Sequence, residues 1–240
     1  MESGVSYDHT GGTMHNVIFD RLDQWRHLPN YQLERRADIF FAPFIATILE
    51  RQFGVPVLPD IVPEFPLHLK TLYPEKTHQS VKVDYVAISA DRGRAFFVEL
   101  KTDSASRREK QDKYLQDAVE ANFTKLMKGL ETIYQRTAAK KKYLHLFRIL
   151  EQLDLVEIVS AKPGAAPKIR LTGNDPKEIE IVYIQPTVKS VPNYDKAKVT
   201  VIHLDSVADI ISEGTSDPFL LRFAESLRNW DREAAGVEAE

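Results

Sequence analysis

The sequence has 240 residues, of which 43% are hydrophobic and 28% charged, an ordinary composition for one large globular domain or one domain with an insertion. The absence of cysteine excludes disulfides and thiolate metal sites and suits a reducing cytoplasm, which is the location we expect. The net charge of −3 gives no global sign of a nucleic-acid partner. No run of about 18 apolar residues and no leader pattern occurs in the sequence, so we expect neither a membrane span nor secretion.

The first part of the chain is predicted to be helical after a polar start. Residues 1–13 are polar and contain three glycines, so we expect disorder there. Apolar residues recur at helical spacing over 14–28 and again over 31–52, where Gly54 ends the second pattern. Pro43 lies inside that second pattern, and we expect it to kink the helix or divide it into two pieces.

A β-hairpin is predicted in the middle of the chain. Residues 55–66 contain four prolines and are interpreted as an extended connector, and Leu67 to Leu72 as a first strand. Two apolar runs, 81–88 and 94–100, then flank a short Ala-Asp-Arg-Gly segment in which Gly93 is available for a left-handed backbone angle.

The hairpin brings acidic residues together. A turn centred between Asp91 and Arg92 places Asp84 directly opposite Glu99, with Cβ atoms about 4.5–5.5 Å apart. Lys101, two residues after Glu99, points to the same face. Both faces of the strands are otherwise apolar, which is typical of central, covered strands.

Two buried carboxylates at this spacing need positive charge nearby. Their mutual repulsion and desolvation cost several kcal/mol, and one lysine supplies a single positive charge, so a divalent metal would supply the rest. The competing interpretation is a purely structural Asp/Glu/Lys cluster, since a Glu-x-Lys triplet is common. Asp175-Pro176-Lys177 matches the same pattern but lies in a Gly/Pro loop, without a strand around it.

The second half of the chain is predicted to alternate helices and strands. After a Ser104-Ala105-Ser106 cap, a long helical pattern runs to Ile133 and a further helix covers about 140–153. The remaining predicted elements are strands at Ile179–Ile184 and Lys198–Leu204 and a final helix at Pro218–Trp230. We therefore expect one domain over 14–232, with a helical insertion at about 137–178 and an acidic tail over 233–240.

Basic residues are concentrated directly after the hairpin. Between Lys101 and Arg148 there are twelve Lys or Arg residues against six Asp or Glu. Such a segment can attract a polyanion, although a solvated helix face explains it equally well. The candidate contacts to nucleic acid are Arg107, Arg108, Lys110, Lys140, Lys141 and Lys142.

The order of Asp84, a hairpin, and then Glu99-Leu100-Lys101 resembles the PD-(D/E)XK nuclease superfamily, which has the restriction-endonuclease-like fold. Here Val83 replaces the proline that usually precedes the aspartate. The resemblance implies an α/β (mixed α+β) fold whose central mixed sheet is flanked by helices, with an α-β-β-β-α-β core.

The resemblance also implies roles for individual residues. Asp84, Glu99 and the backbone carbonyl of Leu100 would bind Mg²⁺ or Mn²⁺, and Lys101 would orient the attacking water. The family often has a glutamate on the helix beside the hairpin, for which Glu34 is the match. Glu50 is the rival match for this glutamate. Gln111, early in the following helix, would position water or phosphate.

The function expected from the sequence is metal-dependent phosphodiester hydrolysis of nucleic acid, by an endonuclease or exonuclease, with DNA favoured over RNA. The alternative is a non-catalytic module on the same fold that binds nucleic acid or a protein partner. The sequence leaves open whether the chain forms a homodimer, and no membrane partner is expected.

Overall fold

A five-stranded mixed sheet carries the predicted hairpin at its centre in the computed structural model. The hairpin consists of β2 (Ser80–Ile88) and β3 (Arg94–Leu100). The other strands are β1 (Val62–His68), β6 (Glu178–Gln185) and β7 (Val199–His203), in the spatial order β1-β2-β3-β6-β7. The pairs β1/β2 and β2/β3 are antiparallel, and β3/β6 and β6/β7 are parallel. The structure describes residues 13–103, 107–159, 166–187 and 199–236.

Helices cover both faces of this sheet. One face packs against α1 (Met14–Trp25), α2 (Leu33–Phe41), a 3₁₀ turn (Ala42–Phe44), α3 (Ile45–Phe53), α8 (Leu204–Ser212) and α9 (Pro218–Ala234). The opposite face packs against α5 (Glu109–Ala121), α6 (Phe123–Arg136) and α7 (Lys140–Gln152). The two apolar cores that result account for the absence of polar alternation in β3, whose side chains from Ala95 to Leu100 are all buried.

The predicted hairpin register is confirmed. Tyr85 pairs with Val98 and Ile88 with Ala95, the register in which Asp84 and Glu99 are the next two residues along the strands. The turn differs in detail, because Arg92 and not Gly93 has the left-handed backbone angle, with φ 56°. The Asp91 carboxylate accepts a hydrogen bond from Gly93 N, which fixes the turn at the residue between them.

The first strand lies earlier than predicted. Residues 62–68 form β1, and Leu69–Leu72, predicted as a strand, form the short helix α4. The prolines that suggested a connector, Pro63 and Pro66, are tolerated because β1 is an edge strand. An edge position leaves one side of the strand without ladder partners, so a missing N–H costs little there.

The helical predictions hold with two changes. Pro43 divides the second helix as expected, since a 3₁₀ turn separates α2 from α3. The long helix predicted through Ile133 is two helices, broken at Asn122, whose φ is 63°. Helix α8, which follows β7 directly, was not predicted.

The predicted insertion is not helical throughout. After α7 it continues into a small antiparallel sheet of β4 (Val156–Val159) and β5 (Lys168–Leu171). Helix α9 extends to Ala234, into the predicted tail. The predicted N-terminal disorder over 1–12, the Ser104–Ser106 cap and residues 237–240 lie outside the described residues. Within the described part of the chain, no helix combines the length and apolar character needed to cross a bilayer.

Candidate active site

Asp84 lies where the ladder between β1 and β2 is interrupted. Pairing is regular on both sides of this point, but Glu64, which would face Asp84, has a left-handed backbone with φ 53°. The distortion also places Val83 in the same core cluster as Val86, where strict alternation would put it on the other face. The Asp84 side chain is thereby turned to the end of β3, where its Oδ2 accepts a hydrogen bond from Leu100 N at 2.9 Å.

Glu99 is a fully buried carboxylate at the end of β3. Its Oε2 accepts a hydrogen bond from the Gln111 side chain, and its Oε1 is buried without a hydrogen-bond partner. Burial, and then the neighbouring Asp84 carboxylate, raise the pKa of Glu99 well above its usual range. An ionised group in this position requires a compensating cation.

Lys101 lies at the centre of the cluster. Its Nζ donates to the Leu100 carbonyl at 2.8 Å, and its side chain is only 5% exposed. Three carboxylates surround the same ammonium, with Glu34 and Glu99 at 3.5 Å and Asp84 at 3.8 Å. The ammonium therefore contacts all three predicted metal ligands, which are the Asp84 and Glu99 carboxylates and the Leu100 carbonyl.

The structure distinguishes between the two candidate glutamates. Glu34 lies in the first turn of α2 and contacts Lys101, and burial raises the pKa of Glu34 despite the attraction of that lysine. Glu50 is exposed on α3, and its Oε1 accepts from Val57 N at 2.9 Å, so it serves the local backbone. Glu34 is thus the helix carboxylate that joins the cluster.

A buried polar network lies beside Gln111 and Glu99. The next residue on α5, Asp112, accepts hydrogen bonds from the Tyr183 hydroxyl and from Arg107 Nε. Tyr183 is the β6 residue paired with Glu99, and the guanidinium of Arg107 lies 4.4 Å from its ring centre. Sequence reasoning missed Asp112 and Tyr183, because the signal that joins them is the parallel pairing of β3 with β6.

The predicted basic contacts separate into three groups. Arg107 is buried, with its side chain 5% exposed, and pairs with Asp112 in the protein interior. Lys140 donates to the carbonyls of Tyr134 and Gln135 at the end of α6, while Lys141 and Lys142 are exposed elsewhere on α7. Arg108 and Lys110 are exposed and line the cleft described next.

A cleft of about 1070 Å³ opens over the Lys101 cluster. Its walls carry basic and aromatic side chains from α2, from α5 and from the segments that follow α1 and β3, and α9 contributes Glu233 and Ala234. These include Arg26, Tyr31, Arg35, Arg108, Lys110 and Tyr114, with Glu34, Lys101 and Gln111 from the cluster itself. The Asp175-Pro176-Lys177 match lies apart from it, before the start of β6, at the opposite end of the strand from Tyr183.

The donor set of the cluster fits a hard divalent cation. Asp84, Glu99 and the Leu100 carbonyl are all oxygen donors, and Glu99 Oε1 is buried without a partner. Among the described residues no group of three His, Cys, Asp or Glu side chains is arranged as a ready metal site. The Lys101 ammonium lies within 3.8 Å of the Glu34, Asp84 and Glu99 carboxylates and supplies positive charge to all three.

Comparison of the chain with protein-family models, with curated proteins and with solved structures gives no match.

Proposed function

We propose that the chain is a metal-dependent nuclease that hydrolyses phosphodiester bonds. The observation that carries the proposal is the cluster of Asp84, Glu99, Lys101 and Glu34, of which Lys101 and Glu34 line a cleft that also carries Arg35, Arg108 and Lys110. A purely structural ion cluster has no need of an open cleft above it.

The architecture supports the same proposal through its resemblance to PD-(D/E)XK nucleases. Helices α2 and α3 precede three antiparallel strands, and α5 and α6 then lead to β6, which pairs parallel to β3. This is the α-β-β-β-α-β order that the restriction-endonuclease-like core would have. The carboxylate on α2 and the glutamine on α5 converge on the hairpin, as the resemblance implies.

Asp84, Glu99 and the Leu100 carbonyl would hold the metal ion. Bound Mg²⁺ or Mn²⁺ would supply a Lewis acid that lowers the pKa of a coordinated water and neutralises charge on the phosphate. The ammonium of Lys101 lies against these same oxygens, so it would have to move away from them for a cation to bind.

The remaining residues have roles set by their position. Lys101, once turned into the cleft, orients the attacking water and stabilises negative charge that develops on the phosphoryl oxygens. Glu34, whose carboxylate lies 3.5 Å from the Lys101 ammonium, can accept a proton from water. Gln111 fixes the orientation of Glu99 through its side-chain amide. In hydrolysis the water oxygen bonds to phosphorus, the P–O bond to the leaving oxygen breaks, and that oxygen takes up a proton.

Nucleic acid is the substrate that this cleft fits best. Arg35, Arg108 and Lys110 line its walls and can contact phosphates, while the Lys101 cluster lies beneath. The resemblance to PD-(D/E)XK nucleases favours DNA as the substrate. The residues that line the cleft could bind RNA equally well.

The test is a cleavage assay with plasmid DNA, linear duplex, single-stranded DNA and RNA in the presence of Mg²⁺ or Mn²⁺. We expect cleavage by the wild type, loss on addition of a chelator, and loss in Asp84→Asn and Lys101→Met. Gln52→Ala, an exposed change at the end of α3, is the matched control and should cleave normally. A wild-type protein that binds nucleic acid and cuts none of the four substrates would instead be a non-catalytic binding module.

A further inference from the structure

An exposed tryptophan contacts Tyr31, a residue that lines the cleft. Trp25, the last residue of α1, is 41% exposed although its neighbours on the inner face of the helix are buried. The guanidinium of Arg21 lies 5.7 Å from its ring centre, one helical turn away. The edge of the Tyr31 ring meets it, with the ring centres 6.1 Å apart. Aromatic and cationic side chains thus form a continuous rim, which we define as Arg21, Trp25 and Tyr31.

This rim leads directly into the candidate active site. Tyr31 lines the cleft together with Glu34 and Lys101, so the rim and the cluster share one wall. The rim is also held in place from within. Arg26, next to Trp25, turns inward and donates to the carbonyl of Thr102, the residue after Lys101, at 3.4 Å. The same guanidinium lies 5.5 Å from the centre of the buried Trp230 ring.

The chemistry of the rim discriminates between forms of nucleic acid. Lys and Arg side chains contact phosphates whether the polymer is paired or unpaired. Aromatic rings stack only on bases whose faces are exposed, and a duplex keeps those faces inside its own stack. An exposed tryptophan beside a cation therefore increases the affinity for a single strand and adds little to the affinity for a regular duplex.

We propose that the substrate enters the cleft as a single strand, or as the single-stranded end of a duplex, with its bases stacked on Trp25 and Tyr31. The proposal rests on the proposed function, since it names the form of the polymer that the Lys101 cluster would cut. Arg108 and Lys110 contact the phosphates as the strand passes over the cluster. DNA and RNA present the same combination of bases and phosphates, and the experiment separates them.

Binding is measured on the full chain in a chelator, so that no cleavage occurs. Labelled oligo-dT and oligo-rU of about 16 nucleotides are compared with a duplex of equal length. Trp25 and Trp230 are the two tryptophans of the chain, and Trp230 is buried. Quenching of tryptophan emission by an oligonucleotide therefore reports on Trp25, and fluorescence anisotropy gives the affinity.

We expect the single strands to quench this emission and to bind more tightly than the duplex. Trp25→Ala should weaken single-strand binding about 5–150-fold, the range that stacking of one base on an aromatic ring corresponds to. Trp25→Phe, which keeps a ring, should retain most of the affinity. Leu28→Ala is the matched control, because Leu28 is 53% exposed on the same segment and has no ring. Thermal melting confirms that each variant is folded.

Unchanged single-strand binding by Trp25→Ala, or equal losses for single strand and duplex, overturns the proposal. It is also overturned if no oligonucleotide quenches the emission and Trp25 instead becomes covered as protein concentration rises, which would make the rim a contact between copies of the chain. These outcomes are distinct from failure of the nuclease proposal. If the protein binds single strands through Trp25 but cuts nothing with Mg²⁺, the single-strand proposal is supported and the catalytic assignment is contradicted.

Discussion

Replacing Lys101 with methionine removes the ammonium and keeps most of the apolar stem. That ammonium lies 3.5 Å from Glu34 and Glu99 and 3.8 Å from Asp84. At an effective dielectric constant of about 20, each such pair is worth about 4–5 kcal/mol of Coulomb energy, and much of that sum offsets the cost of burying the charges. Removing one partner of a buried pair typically costs about 3–5 kcal/mol. Because Glu99 can take up a proton, we expect a loss near the lower end, about 3 kcal/mol.

The same change should strengthen metal binding. If the metal ion displaces the ammonium, the free energy that Lys101 contributes to the metal-free protein is lost by the wild type on binding. The variant has nothing to displace, so Lys101→Met should bind Mn²⁺ up to about 100-fold more tightly. Its unfolding free energy should approach that of the wild type once both are loaded with metal. Cleavage should still fall about 10²–10³-fold, because the group that stabilises transition-state charge is gone.

Denaturant unfolding in a chelator and in Mn²⁺, together with isothermal titration calorimetry, measures all of these quantities. Lys113→Met is the matched control, because Lys113 forms an exposed pair with Asp117 and is 68% exposed. Surface pairs of this kind contribute about 0–1 kcal/mol, and no effect on metal affinity is expected. If Lys101→Met binds Mn²⁺ no more tightly than the wild type, or remains destabilised when loaded, the ammonium does not occupy the metal position.

Three further predictions test other parts of the account. Asp84→Asn keeps an acceptor for Leu100 N but removes a charge, so calorimetry should show loss of Mn²⁺ binding without a loss of metal-free stability; unchanged affinity would contradict the ligand assignment. Arg108→Ala should reduce the salt dependence of DNA binding by about one phosphate contact while Lys141→Ala leaves it unchanged, and equal effects would move the binding surface away from the cleft. Burial lowers the pKa of His68, so the histidine favours the folded protein above its unfolded pKa of about 6.5; stability should fall as pH drops below that value, and His68→Gln should flatten that part of the unfolding curve.

The site was largely predictable because its core is local in sequence. The hairpin that joins Asp84 to Glu99 spans sixteen residues, and its turn residues and apolar runs determine the register. The placement of Lys101 on the same face as Glu99 follows from the alternation of side chains along a strand. The choice of Glu34 over Glu50 depended instead on the family resemblance, because no local pattern relates α2 to β3. The contact of Glu34 with Lys101 is a property of tertiary packing.

The parts that sequence reasoning missed depend on long-range or exceptional geometry. The prolines of β1 are typical of a connector in sequence. A strand tolerates them here because β1 lies at the edge of the sheet. The break between α5 and α6 depends on the positive φ of Asn122. The spacing of apolar residues gives no indication of this backbone angle. The Tyr183–Asp112 bond joins residues 71 positions apart, so it requires knowledge of the parallel β3/β6 pairing.

A crystal soaked in Mn²⁺ tests the central claim most directly, because the ion is identified by its anomalous scattering. We expect one strong peak within bonding distance of the Asp84 carboxylate, the Glu99 carboxylate and the Leu100 carbonyl. Lys101 should then have moved from its position among those oxygens, to which its Nζ otherwise lies at 2.8–3.8 Å. A soaked crystal with no ion at this point, and with Lys101 still bound to the three carboxylates, would contradict the claim that this cluster is a metal-dependent catalytic site.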